Sequence, residues 1–193
     1  MHTRTARTSV LAVCTLFILA AIAPKSQAES LERLRTASPR LRAVLAAALE
    51  RSPTLQSLAQ RIAASNVIVY VTCERFASVR LNGQTMWADG NSEARYLRVQ
   101  VDCFLTQSHL VAILGHELQH VAEVADTQEV VDSDSFGRLF HRIGYRTCSG
   151  RGAEQFETDR AIATGERVRQ EVLYRWPIGA RVVADDGRRV PAQ

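Results

Sequence analysis

The chain has 193 residues, 46% of them apolar and 23% charged, with a formal net charge of +4. That length suits one compact domain, and that composition supports an ordinary globular core. Beyond the N-terminus no stretch approaches the roughly 20 apolar residues of a membrane span, which excludes a stable span elsewhere.

Residues 1–28 read as a secretory signal peptide. Arg4 and Arg7 form a basic start, Val10 to Ala23 is apolar, and Ser26-Gln27-Ala28 offers small residues for cleavage after Ala28. Cys14 lies inside the apolar stretch after Val13, which speaks against a lipoprotein. Arg4, Arg7 and Lys25 are three of the 24 basic groups, and the segment holds no acid, so the remainder is nearly neutral, 21 against 20. The basic balance is therefore partly a property of the leader, and no nucleic-acid partner is expected. Export to the periplasm or beyond places Cys73, Cys103 and Cys148 where disulfides form. Cys73 and Cys103 lie near the ends of two predicted strands and are the first choice for a pair. No Cys-x-x-Cys spacing suggests a cysteine metal site.

Residues 29–178 are expected to form a single α+β domain, followed by a C-terminal tail at 179–193. Leu31, Leu34, Leu41, Val44, Leu45, Ala48 and Leu49 recur at helical spacing, and Leu55, Leu58, Ala59 and Ile62 continue the stripe. Ser38-Pro39 and Ser52-Pro53 suit helix starts. The period then changes. Val67 to Val71 is β-branched and aromatic, a strand signal. A second strand is predicted within 77–87 with a turn at Asn82-Gly83, and a further turn at Asp89-Gly90-Asn91-Ser92. Arg95 to Val101 alternates polar and apolar, which predicts a strand with one wet face, placed at a sheet edge. The sheet is expected to be small and mostly antiparallel. Thr106 to Ala125 reads as the central helix and Asp134 to Ile143 as a shorter one. Gly144 to Gly152 reads as a loop, and Ala153 to Tyr174 as a last helix weakened at Gly165.

The central helix carries His116-Glu117-Leu118-Gln119-His120. Residues four apart lie one turn apart on one helix face. Both imidazoles can therefore address one metal ion, with Glu117 beside it. The flanks are apolar, so the pattern is unlike a solvated helix with two incidental histidines. Two ligands are too few for zinc, so a third must come from elsewhere.

This pentapeptide resembles the active-site helix of the zincin metallopeptidases. The order of helices, small sheet and motif helix is similar to their minimal core, over about residues 66–165. The resemblance implies a zinc-dependent peptidase: His116 and His120 bind Zn2+, Glu117 is the general base for a zinc-bound water, and the substrate is a peptide or protein. It also implies a third ligand downstream. The metzincin position falls on Asp126 with no intervening glycine, so that extended motif is absent. The gluzincin pattern uses a glutamate on a later helix, and Glu154 and Glu157 open the post-loop helix. Glu157 is favoured because it sits beside the apolar face. Glu123 shares the helix face of the histidines but lies a third turn along, too far for a ligand, and is expected to support a ligand or be solvated. The family's supporting aspartate has no counterpart at the right spacing; Asp159 is the nearest substitute. Tyr145 and His141 are candidate donors to a developing oxyanion. The alternative is a non-catalytic zincin-like module that holds metal for adhesion, inhibition or assembly. An open cleft beside His116 favours the enzyme, whereas a closed metal shell or a buried Glu117 favours the alternatives.

Overall fold

The computed structural model describes residues 32–76, 81–91, 93–147 and 155–175. The expected signal peptide, the tail at 179–193, Cys148 and Glu154 lie outside them. Among the described residues no helix is long and apolar enough to cross a membrane.

Among the described residues the architecture is α+β, with five helices, a four-stranded mixed sheet and a two-stranded hairpin. Helix α1 spans Pro39–Arg51 and α2 spans Pro53–Ala63. Each starts as its Ser-Pro pair predicts. The hydroxyls of Ser38 and Ser52 accept the backbone N–H groups of Leu41 and Leu55 at 3.2 and 3.1 Å. Proline fills the first helical position, where its missing N–H costs nothing. Leu34, placed on the helical stripe by periodicity, instead belongs to a short strand, β1 (Leu34–Arg35).

Strands β2 (Val67–Cys73), β3 (Gly83–Gly90) and β4 (Arg95–Val101) complete the sheet in the order β1-β2-β4-β3. The mostly antiparallel sheet expected from sequence is corrected to a mixed one. β1–β2 and β2–β4 are parallel, and only β3–β4 is antiparallel. Nor is β4 an edge strand: it lies between β2 and β3, and the edges are β1 and β3. The alternation in β4 reports which face is wet, not where the strand sits. Val67, Val69, Val71, Leu97, Val99 and Val101 are buried on the face covered by helices, while Tyr70, Thr72 and Arg98 are exposed on the other. The turn expected at Asn82-Gly83 is absent, because Gly83 opens β3. The tight connection from β3 to β4 is built on Asn91, whose side-chain oxygen accepts the N–H groups of Glu93 and Ala94 at 2.8 and 2.9 Å. A disulfide joins Cys73 to Cys103 with Cα atoms 5.4 Å apart, tying the end of β2 to the segment between β4 and the next helix.

That helix, α3, spans Gln107–Ala125 and forms the centre of the fold. Leu110, Val111, Leu114, Leu118, Val121 and Val124 are buried along it. Its C-terminal carbonyls are capped from the sheet. Arg95 is the odd member of the buried face of β4, 3% exposed. Its guanidinium donates to the backbone oxygens of Val124 (2.8 Å) and Thr127 (2.7 Å) and to the side chain of Asn66 (2.7 Å). A cation at a helix C-terminus also meets the negative end of the dipole. Helix α4 (Ser133–Ile143) begins with a capping box between Asp132 and Ser135, and packs Leu139 and Phe140 inward.

The last helix starts later than the sequence suggests. Gln155–Glu157 is a strand, β6, paired antiparallel with β5 (Tyr145–Thr147), and α5 runs from Asp159 to Arg175. Thr158 is the boundary: its hydroxyl accepts the N–H of Ala161 at 3.1 Å. Gly165, which periodicity treats as a flaw, is where α5 crosses α3. A Cβ there would sit 3.1 Å from His116 Cβ and 3.2 Å from the Ala112 carbonyl oxygen. Gly115 is the reciprocal contact, where a Cβ would meet Val168 at 2.7 Å. α5 is also tied to α2 by Glu171, whose carboxylate accepts the Ser52 hydroxyl and the Thr54 hydroxyl and N–H.

Two outcomes follow from these contacts. Replacing Arg95 with leucine leaves helix-end carbonyls buried without a donor and is expected to cost about 2–4 kcal/mol, read as a lowered denaturant midpoint at unchanged slope. For Glu171, burial pushes the carboxyl up, but the bonds from Ser52 and Thr54 outweigh it and hold it below the usual range. A folded pKa below the unfolded one gives stability that is full above about pH 4.3 and is lost as pH falls through the folded value. Wild type and Glu171→Gln should therefore differ in urea midpoint near neutrality and converge in acid. An unchanged gap in strong acid would contradict the assignment.

Candidate metal centre

The site forms where α3, β3 and the β6–α5 junction meet. Helical spacing puts His116 and His120 one turn apart, with ring centroids 5.0 Å from each other. Glu157 reaches both: its Oε1 lies 3.1 Å from His116 Nε2 and 3.4 Å from His120 Nε2. One ligand atom from each of the three falls within 4.8 Å of the others, so His116, His120 and Glu157 form a group that can hold a metal ion. Glu157 arrives at the end of β6, not on the first turn of a helix as expected. The N–H of Thr158 donates to its Oε1 at 2.9 Å, and Tyr145 pairs with it across the hairpin.

The charges are mutually stabilised. Burial raises the Glu157 carboxyl, but hydrogen bonds from His116 and His120 outweigh that and bring its pKa down to about 2. Burial lowers His120, yet the Glu123 and Glu157 carboxylates more than compensate and raise it to about 9. Glu157 is thus ionised under ordinary conditions, as a ligand oxygen must be.

Glu117 faces the edge strand. Its side chain is 5% exposed, and the Thr85 hydroxyl donates to its Oε2 at 2.7 Å. Burial pushes this carboxyl up, against the pull of His120, His116 and Thr85. Strand β3 lies directly on it because residue 83 is glycine: a Cβ there would come within 2.7 Å of Glu117 Oε1 and 2.6 Å of Ile113 Cγ2. His116, Glu117, His120 and Glu157 share a cleft of about 210 Å³ with Gly83, Thr85 and Met86 of β3. Phe136, Phe140 and Phe156 give it an apolar wall. The His120 ring packs edge-on against Phe140 at 5.3 Å.

Other residues singled out by sequence fall in different places. Glu123 is buried and accepts from His120 Nδ1 at 3.0 Å, so it supports a histidine and is not solvated. Asp159 is exposed at the start of α5 and does not take that role. Tyr145 is 47% exposed, and the exposed His141 packs its ring on Phe156 at 4.3 Å. Sequence reasoning missed Gly83, Thr85 and Thr158. None belongs to a periodic pattern, and only the Asn82-Gly83 pair drew notice, as a turn. Comparison of the chain with models of protein families, with curated proteins and with solved structures finds no match.

The donor set makes two predictions. Glu157→Ala removes one of the three groups that can hold an ion and, with Zn2+ as the probe metal, is expected to weaken binding on the order of 100-fold or more in a chelator competition. Affinity equal to wild type would place the third ligand elsewhere. Gly83→Ala forces β3 off Glu117 and should cost about 1–3 kcal/mol in thermal or denaturant unfolding.

Proposed function

We propose that this chain is an exported, zinc-dependent peptidase of the zincin type, with Glu117 as general base. The observation that carries the reading is the convergence of His116, His120 and Glu157 on a cleft whose wall also holds Glu117. Export is supported by the leader-like pattern of residues 1–28. Two imidazole nitrogens and one carboxylate suit zinc better than the all-oxygen surroundings of calcium or magnesium. Three protein ligands are the number that leaves a position for chemistry.

Zinc held by His116, His120 and Glu157 supplies Lewis acidity toward a carbonyl oxygen and toward water. The chain's own groups do the rest. Glu117 takes a proton from the attacking water and returns it to the departing amine. Thr85 fixes the carboxylate so that it need not reorganise. The edge for an extended substrate is β3, since Gln84, Thr85 and Met86 line the cleft itself, whereas Arg95–Val101 lies inside the sheet.

One observation favours the second reading, a metal-holding module without catalysis. Glu117 is only 5% exposed, and its carboxylate is already bonded to Thr85. Hydrolysis of a mixed peptide library by the zinc-loaded protein separates the two. Glu117→Gln should keep zinc and lose roughly 10²–10⁴-fold in peptide hydrolysis. Hydrolysis at the wild-type rate would remove Glu117 from the mechanism, and a zinc-loaded wild type that cuts nothing would favour the binding module.

A further inference from the structure

We infer that Glu123 is the positioning residue of the metal centre, setting the ring of His120 through Nδ1 and the approach of Glu157 through Thr158. This rests on the metal-holding role of His116, His120 and Glu157, and not on peptide hydrolysis.

Glu123 is 6% exposed, and a buried carboxylate is costly unless its oxygens are bonded. Both are. Oε2 lies 3.0 Å from His120 Nδ1. Oε1 accepts the Thr158 hydroxyl at 2.9 Å and the Gln119 amide at 3.4 Å. An imidazole that offers the lone pair of Nε2 to a cation must carry its proton on Nδ1, and that proton needs an acceptor. Glu123 is that acceptor. The ring of His120 stands between its carboxylate and Glu157, so Glu123 is outside the group that can hold the ion.

The second bond extends the effect to the other side of the site. Thr158 directly follows Glu157, and its N–H donates to Glu157 Oε1 at 2.9 Å. The same residue caps α5 by accepting the N–H of Ala161 at 3.1 Å. One carboxylate on α3 therefore holds a histidine on its own helix. Through one hydroxyl it also holds the point where β6 turns into α5. Without it, two of the three ligands lose a support.

The test uses the purified exported chain, zinc and a competing chelator. Glu123→Gln keeps the volume but removes the charge, and Thr158→Val removes the hydroxyl, which Thr158→Ser restores. Glu123→Gln should bind zinc roughly 10- to 100-fold more weakly than wild type. Thr158→Val should shift in the same direction, and Thr158→Ser should return to wild-type affinity. Nitrogen-15 spectra of the zinc-loaded wild type should show the His120 proton on Nδ1. A folded Glu123→Gln protein that binds zinc as tightly as wild type would overturn the inference, even if its metal-free form unfolds earlier, since that is what a merely structural role would give. Coordination through His120 Nδ1 would also overturn it. If Glu123→Gln does not fold, the Thr158 pair decides, and wild-type affinity in Thr158→Val counts against the inference. A wild type that binds zinc but cuts no peptide removes the proposed activity and leaves the inference standing. Zinc affinity insensitive to both residues removes the inference and leaves the activity standing.

Discussion

The constraint that shapes this protein is polarity buried on α3. His116, Glu117, His120 and Glu123 occupy one side of a helix whose Leu110, Val111, Leu114, Leu118, Val121 and Val124 belong to the core. Glu117, His120 and Glu123 carry charge or a strong donor or acceptor into a region that water hardly reaches, and His116 stands half-buried at the cleft. The described elements around them answer that demand. β3 brings Thr85 to Glu117, β6 brings Glu157 to both histidines, and the first residue before α5 brings Thr158 to Glu123. The fold is largely a means of delivering those partners. Among the described residues no buried side-chain nitrogen or oxygen lacks a hydrogen-bond partner.

Close approach is the second requirement, and glycine meets it at three contacts. Gly83 lets the edge strand lie on Glu117, Gly165 lets α5 pass His116, and Gly115 accepts Val168 from the other side. Glu157 comes from the hairpin that leads into α5, the helix that crosses α3 at these glycines. Arg95 holds the far end of α3 against the sheet. The helix is thus clamped at its C-terminus and along its middle, which keeps the spacing between histidines and carboxylates from drifting. A site of this kind gains from such pre-positioning, because ligands already in place need not be ordered when the ion arrives.

Much of this was legible in local signals. The Ser-Pro pairs marked two helix starts, and the His-Glu-x-x-His spacing marked the pair of imidazoles. The β-branched run marked β2, and two strand ends marked the disulfide. What stayed hidden depended on tertiary partners. Alternation along Arg95–Val101 identified a wet face but could not say that β2 would pair on one side and β3 on the other. Arg95 itself sits on the apolar phase of that alternation with Leu97, Val99 and Val101, which is the one sequence clue to its burial. Glu157 was reached for the wrong local reason: it lies on a strand, because Thr158 takes over the capping of α5. Glu123 lies outside the His116, His120 and Glu157 group, and its bond to His120 depends on rotamers that spacing does not determine. Thr85 has no sequence signature and Gly83 signals only a turn, since their importance comes from what lies beneath them.

His116, His120 and Glu157 meet on a cleft that Glu117 also lines. The most direct measurement is a crystal structure of the zinc-loaded protein with anomalous diffraction at the zinc edge. The expected result is one ion bound by His116 Nε2, His120 Nε2 and a Glu157 oxygen, with no fourth protein ligand and the remaining position facing Glu117. An ion closed off by a fourth side chain, bound through Glu123, or located away from His116 and His120 would contradict it.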